Sequence, residues 1–282
     1  MKGSILPFVI LLATFHSNAS GGLIASYSFE DNFLDSSGFG NDGGLLGGNT
    51  SVGFAPGLFG QAASFNGIGS VGSGRGIRVP HSNSLNLSSA MTLAAWVNPT
   101  NANDPNVGVI FKGDLDFSFG AYDLLIGHFP SGQPGNIVDR AGTLLNNDSV
   151  NAVSPAQAIN LGAWQHLATT FDGSDLRLFI NGVEVASTPF TGTITQEMSP
   201  LWIGQRFDPR FLYAGLIDEV RIYDTALSSS EIAALAEFPA SPSPVPEPSS
   251  LALLGIGAFC LVGFRLRRRG KPQQTNKGNA AE

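Results

Sequence analysis

The side chains with most chemistry to offer here are 22 carboxylates, set against 15 Lys and Arg, four His and one Cys. Two carboxylates about 5 Å apart can share acid and nucleophile roles across a glycosidic bond. Neither Glu-x-Asp-x-x-Glu nor Glu-x-Asp-x-Glu, which would set acids at alternate strand positions, occurs in the chain. Asp218 and Glu219 are neighbours in LIDEVRIYD, and on a regular strand they point to opposite faces, unable to act on one substrate. Asp218 shares its expected face with Val220 and Ile222, the core face, so its carboxylate is drawn inward and needs a partner. His16, His81, His128 and His166 show no metal spacing, and no Ser/His/Asp or thiol nucleophile can be assembled. Gly67 to Gly72 matches GxGxxG, but no helix follows and a flexible glycine loop accounts for it. The stretch from Asp114 resembles a calcium loop only superficially, with Phe119 in the glycine place and Leu125 where a bidentate Glu is required. Trp96, Trp164 and Trp202 sit in apolar strand patterns and read as core, with sugar stacking as the functional alternative.

The elements that must position these groups are short strands. GQAASF, GIRVP, MTLAAWVNP, VIFKGD, AYDLLIG, WQHLATTFD, DLRLFI, VEVAS, PLWIGQR and YAGLIDEVRIYD are separated by Gly, Asn, Asp and Pro clusters, the spacing of a β-sandwich. Asn181-Gly182 between DLRLFI and VEVAS predicts a two-residue hairpin turn. Leu176, Leu178 and Ile180 alternate with Arg177, which predicts a strand packed on one side only. Ser228 stands three residues before Glu231 ahead of IAALAEF, a capping box that opens one short closing helix. Asp35 in DSSGFGND reads as an Asx-turn that organises its own loop.

Both ends differ from this middle. Residues 1–19 combine Lys2, an apolar run from Ile5 to Phe15 and small residues at Ser17 and Ala19, the pattern of a signal peptide. Between Ser20 and Pro248 there are 8 Lys and Arg against 21 Asp and Glu, whereas the last 18 residues carry six basic ones. So acidic a domain repels nucleic-acid phosphate. Cys260 is the sole cysteine, so no disulfide staples the monomer and the domain depends on its core or on a metal. Residues 239–248 form a Pro/Ser-rich linker, 249–264 an apolar segment expected to be a transmembrane helix, and 265–282 a basic tail. Arginines after the apolar run place the tail on the cytoplasmic side. At about 1.5 Å per residue, such a helix spans about 24 Å, short for a bilayer core of about 30 Å.

The order of YSFEDNFLDSSGFGNDG, FAPGLFGQAASFNG, LSSAMTLAAWVNP, WQHLATTFDGSDLRLFINGVEVAST and YAGLIDEVRIYDTALSSSEIAAL resembles the laminin-G-like jelly rolls of the concanavalin A-like lectin/glucanase superfamily. The resemblance runs from about Leu23 to Phe238, within a domain expected over 20–238. It implies an all-β jelly-roll sandwich of two antiparallel sheets, to which the sequence adds one short C-terminal closing helix and a C-terminal transmembrane helix. It also implies first and last strands side by side, bringing Glu30 or Asp31 toward Asp218, where two or three carboxylates would suit a structural Ca²⁺. Backbone N–H groups from a neighbouring turn are the alternative partner for Asp218. Pro246-Glu247-Pro248, the apolar segment and the cluster Arg267, Arg268 and Arg269 resemble the PEP-CTERM sorting signal. In that family a membrane protease, exosortase, recognises the tripeptide and processes the protein at the inner membrane.

The expected function is that of a non-catalytic, exported, surface-displayed binding or adhesion protein taking a glycan or an extracellular protein. A matrix or biofilm protein without a specific ligand is the second reading and a glycoside hydrolase a distant third. No residue in the sequence names the ligand.

Overall fold

A computed structural model describes residues 22–47, 50–67, 75–100, 106–114, 120–127, 140–206 and 212–237. Within them stand fourteen strands and one α-helix, and two sheets pack face to face. The larger sheet contains β1 (Leu23–Tyr27), β2 (Val52–Pro56), β3 (Gln61–Asn66), β5 (Met91–Pro99), β10 (Gln165–Phe171), β11 (Asp175–Ile180), β12 (Val183–Pro189) and β14 (Ala214–Tyr223). Its order is β12-β11-β10-β5-β14-β3-β2, with β1 on the second half of β14. The smaller sheet runs β4 (Ile77–Val79), β13 (Leu201–Ile203), β6 (Val107–Gly113), β7 (Gly120–Ile126), β8 (Ala141–Leu145) and β9 (Val150–Val153). The described pairings are antiparallel, and first strand lies against last as the jelly-roll resemblance implies.

Alternation builds the core. Leu93, Ala95 and Val97 of β5, Leu176, Leu178 and Ile180 of β11, and Ile217, Val220 and Ile222 of β14 meet Ile110, Leu124 and Ile203 of the smaller sheet. The Asn181-Gly182 turn has φ of 50° and 79°, the left-handed pair that a type I′ hairpin needs. The helix α1 (Ser229–Leu235) starts on the predicted capping box: the Glu231 N–H donates to the Ser228 hydroxyl and the Glu231 carboxylate accepts from the Ser228 N–H. It buries Ile232 against Ala94, Ala168, Phe179 and Tyr223 on the outer face of the larger sheet. Phe179 therefore corrects the one-sided reading of β11, because α1 gives that strand a second packed face.

Strands β2, β8 and β9 were not legible in the sequence, since AGTLL and VNAV are short and β2 contains Gly53 and ends on Pro56. Among the described residues no helix is long and apolar enough to cross a membrane. The expected signal peptide, the linker, the apolar segment, the basic tail and Pro246 to Arg269 lie outside the described residues.

Candidate functional site

Asp218 is fully buried, but not on the core face. Register on β14 shifts between Asp218 and Arg221, with Glu219 at φ +48°. This β-bulge inserts one residue, so Ile217 and Val220 both face the core while Asp218 lies opposite Trp96 on the outer face. Glu219 ends on the outer face too, its carboxylate 2.5 Å from the Arg221 guanidinium. Opposite faces for these two acids are thus corrected by a bulge that simple alternation does not foresee.

What holds Asp218 is the turn between β2 and β3. Its Oδ2 accepts the N–H groups of Leu58 at 3.2 Å and Phe59 at 3.3 Å, and its Oδ1 accepts from Glu219 at 2.8 Å. Phe59 packs edge-on to Trp96 above it. Burial pushes the Asp218 carboxyl up to about 6, against the opposing pull of these N–H donors. Glu30 reaches the same turn, both oxygens 3.3 Å from the Gln61 N–H. Gly60 has φ +62°, and a Cβ there would stand 2.0 Å from Glu30 Oε1. Asp31 is exposed with φ +55° and takes no part in these bonds. The structure thus brings Glu30 and Asp218 to one turn, where backbone N–H groups occupy their oxygens. Among the described residues, no three His, Cys, Asp or Glu side chains gather closely enough to hold a metal ion.

A second polar cluster lies on the outer face of the smaller sheet, where Trp202, Phe111, Asp123 and Leu144 stand side by side across β13, β6, β7 and β8. Arg206 Nε donates to Asp123 Oδ2 at 2.9 Å, its other end bonds Asp148, and its guanidinium lies 5.8 Å from the centre of the Phe111 ring. Leu144 N–H donates to Asp123 Oδ1 at 2.9 Å. Burial raises the Asp123 carboxyl while Arg206 pulls it down, an ion pair that is costly to break from one side. Trp202 is buried, as expected, but on this outer face rather than in the core, and its indole N–H has no hydrogen-bond partner among the described residues. Trp96 is buried on the outer face of the other sheet, and Trp164 is half-buried. Sequence reasoning missed Asp123 and Arg206; an Asp inside the apolar run AYDLLI was the available signal.

Other polar groups are structural. Lys112 is fully buried, donating to the carbonyls of Glu197 at 2.9 Å and Ser199 and to His81 Nδ1 at 3.3 Å, and burial lowers its ammonium to about 8. His166 is buried edge-on to Trp96, and loss of solvent lowers its imidazole to about 3, so it stays neutral. Asp35 accepts from Ser26, Ser37 and Asn41 N–H groups, which is the loop-organising role expected of it. Carboxylates so fully engaged hold chain segments together and leave no pair free across a cleft at Asp218, Glu219 or Asp123.

Known proteins place this arrangement. A family profile described as the concanavalin A-like lectin/glucanases superfamily matches residues 71–233, more than half of the chain, and the PEP-CTERM protein-sorting motif matches residues 244–269. Compared by sequence with curated proteins, the chain matches none. Among solved structures, domain 4 of AbnA, a GH43 extracellular arabinanase from Geobacillus stearothermophilus in complex with arabinotriose, superposes with TM-score 0.59 at 29% identity, covering 77% of this chain and 99% of that domain. The binding domain of Paraclostridial Mosquitocidal Protein 1 superposes with TM-score 0.57 at 18% identity, covering 76% of this chain and 52% of the other. The botulinum neurotoxin serotype G binding domain gives 0.54 at 14%, covering 76% and 50%. The chain thus spans about half of each toxin structure, and those two likenesses speak for the fold alone. With both sheets, the strand order and the profile in agreement, the chain belongs to the concanavalin A-like lectin/glucanase superfamily and carries a PEP-CTERM protein-sorting motif behind its sandwich.

Proposed function

We propose that this protein is an exported, non-catalytic glycan-binding protein, delivered to the inner membrane and processed there by an exosortase-type protease. The observation that carries the reading is the likeness, at 29% identity and over 99% of its length, to an arabinanase domain solved with arabinotriose. The engaged state of Asp218, Glu219 and Asp123 favours binding over hydrolysis, because a glycosidase needs one carboxyl free to protonate the leaving oxygen and a second free to attack or activate water. An acidic domain of net −13 between Ser20 and Pro248 favours neutral sugars over polyanionic ones. The test is a glycan array probed with the full-length protein, followed by calorimetric titration with arabinotriose and other neutral oligosaccharides. Saturable binding with no release of reducing ends is the expected result. Silence across the array would leave the matrix-protein reading in its place, and sugar release would replace binding by hydrolysis.

A further inference from the structure

We infer that the sugar site is the polar groove between the 35–41 loop and the 83–90 segment, and that its ligand is a short neutral oligosaccharide held under Phe39. The inference rests on the glycan-binding reading and assigns it a place. The groove encloses about 300 Å³ and is lined by Phe39, Asn83, Asn86, Ser88, Ser89 and Asp224, a volume at the small end of ligand sites.

Three features fit a sugar. The hydroxyls of Ser88 and Ser89, the amide of Asn83 and the carboxylate of Asp224 make no hydrogen bond within the described protein, and all four residues are exposed. Asn86 spends only its carbonyl oxygen, on the Glu197 N–H at 2.9 Å, and keeps its amide donors. Donors and acceptors side by side suit vicinal hydroxyls, which are both at once. Among the described residues no Lys or Arg lines the groove, and Asp224 turns away anions.

Phe39 supplies the apolar surface. It is 57% exposed at the tip of a loop whose flanking residues, Gly38 at φ +93° and Gly40 at φ +73°, take backbone conformations that suit glycine. The loop is held from both sides. Asp35 gathers its backbone, and Asn41 donates to Ile24 O at 2.7 Å and to Ser84 Oγ at 3.0 Å while accepting from Ser82 at 2.5 Å. These bonds tie the Phe39 loop to the opposite wall, so the groove is shaped before a ligand arrives and less ordering is lost on binding.

The experiment titrates arabinotriose and a panel of neutral oligosaccharides into the full-length protein and into Phe39→Ala, Asn83→Ala and Ser88→Ala variants, with sialyllactose as the anionic control. We expect the best neutral ligand to bind roughly tenfold more weakly to Phe39→Ala, with an unchanged thermal midpoint because the ring is exposed, and sialyllactose not to bind. Unaltered affinity in all three variants would overturn the groove while leaving glycan binding standing. Absence of binding by the unsubstituted protein would overturn both.

Discussion

Asp218 shows how a single buried carboxylate that the sequence offers as a metal ligand has its oxygens met by backbone N–H groups. Its carboxylate terminates the 58–59 turn, so Asp218→Ala strands two N–H groups beneath Phe59, and we expect a loss of about 2 to 4 kcal/mol by denaturant unfolding. Its proton is held more tightly folded, near pH 6, than at the ordinary carboxyl value. The stability this contributes is complete below pH about 4 and is lost as pH rises through about 6, by about 2 to 3 kcal/mol. Asp218→Asn should flatten that slope between pH 4 and 7; an equal slope in both proteins would assign it to another group. A Ca²⁺ ion would have to displace the backbone donors, so the midpoint is expected to be indifferent to a chelator, and a fall on chelation would restore the ion as the partner of Glu30 and Asp218. The sequence located Asp218 and its need for a partner; the partner came from residues 160 positions away.

At the scale of elements, the bulge in β14 carries most of what was not legible. Period-two reading held for β5 and β11, where apolar residues at alternate positions form the core, and it failed at Glu219, whose φ of +48° lets two acids share one face. A β-branched residue is poorly suited to that backbone. Glu219→Val should therefore unfold about 1 to 2 kcal/mol more easily than Glu219→Asn, since Asn tolerates positive φ. Equal midpoints would mean that the strand absorbs the bulge elsewhere. The Asn181-Gly182 hairpin and the Ser228 capping box were readable because both are local: turn type and cap each depend on residues within four positions.

At the scale of the whole molecule, an exportable sandwich precedes a sorting motif at residues 244–269. In a cell with an exosortase, mass spectrometry of the mature protein should find no peptide beyond the Pro246-Glu247-Pro248 region. Replacing those three residues with alanine should retain the C-terminal peptides and hold the protein at the inner membrane. Loss of the segment from the alanine variant as well would show that another protease removes it.

By itself the sequence determined most of the strands, the closing helix and the acidic character of the domain, because these depend on periodicity, composition and spacing along one chain, while its likeness to known families carried the jelly-roll class and the sorting motif. Tertiary structure decided which face Asp218 occupies, that Arg206 answers Asp123 across 83 positions, and that Phe39 stands over a groove walled by Asn83, Ser88 and Asp224. Those relations are set by strand order and by one inserted residue. A carboxylate's partner in a sandwich is whatever the second sheet, a turn or a distant loop brings within hydrogen-bonding distance, and separation along the chain carries no record of it.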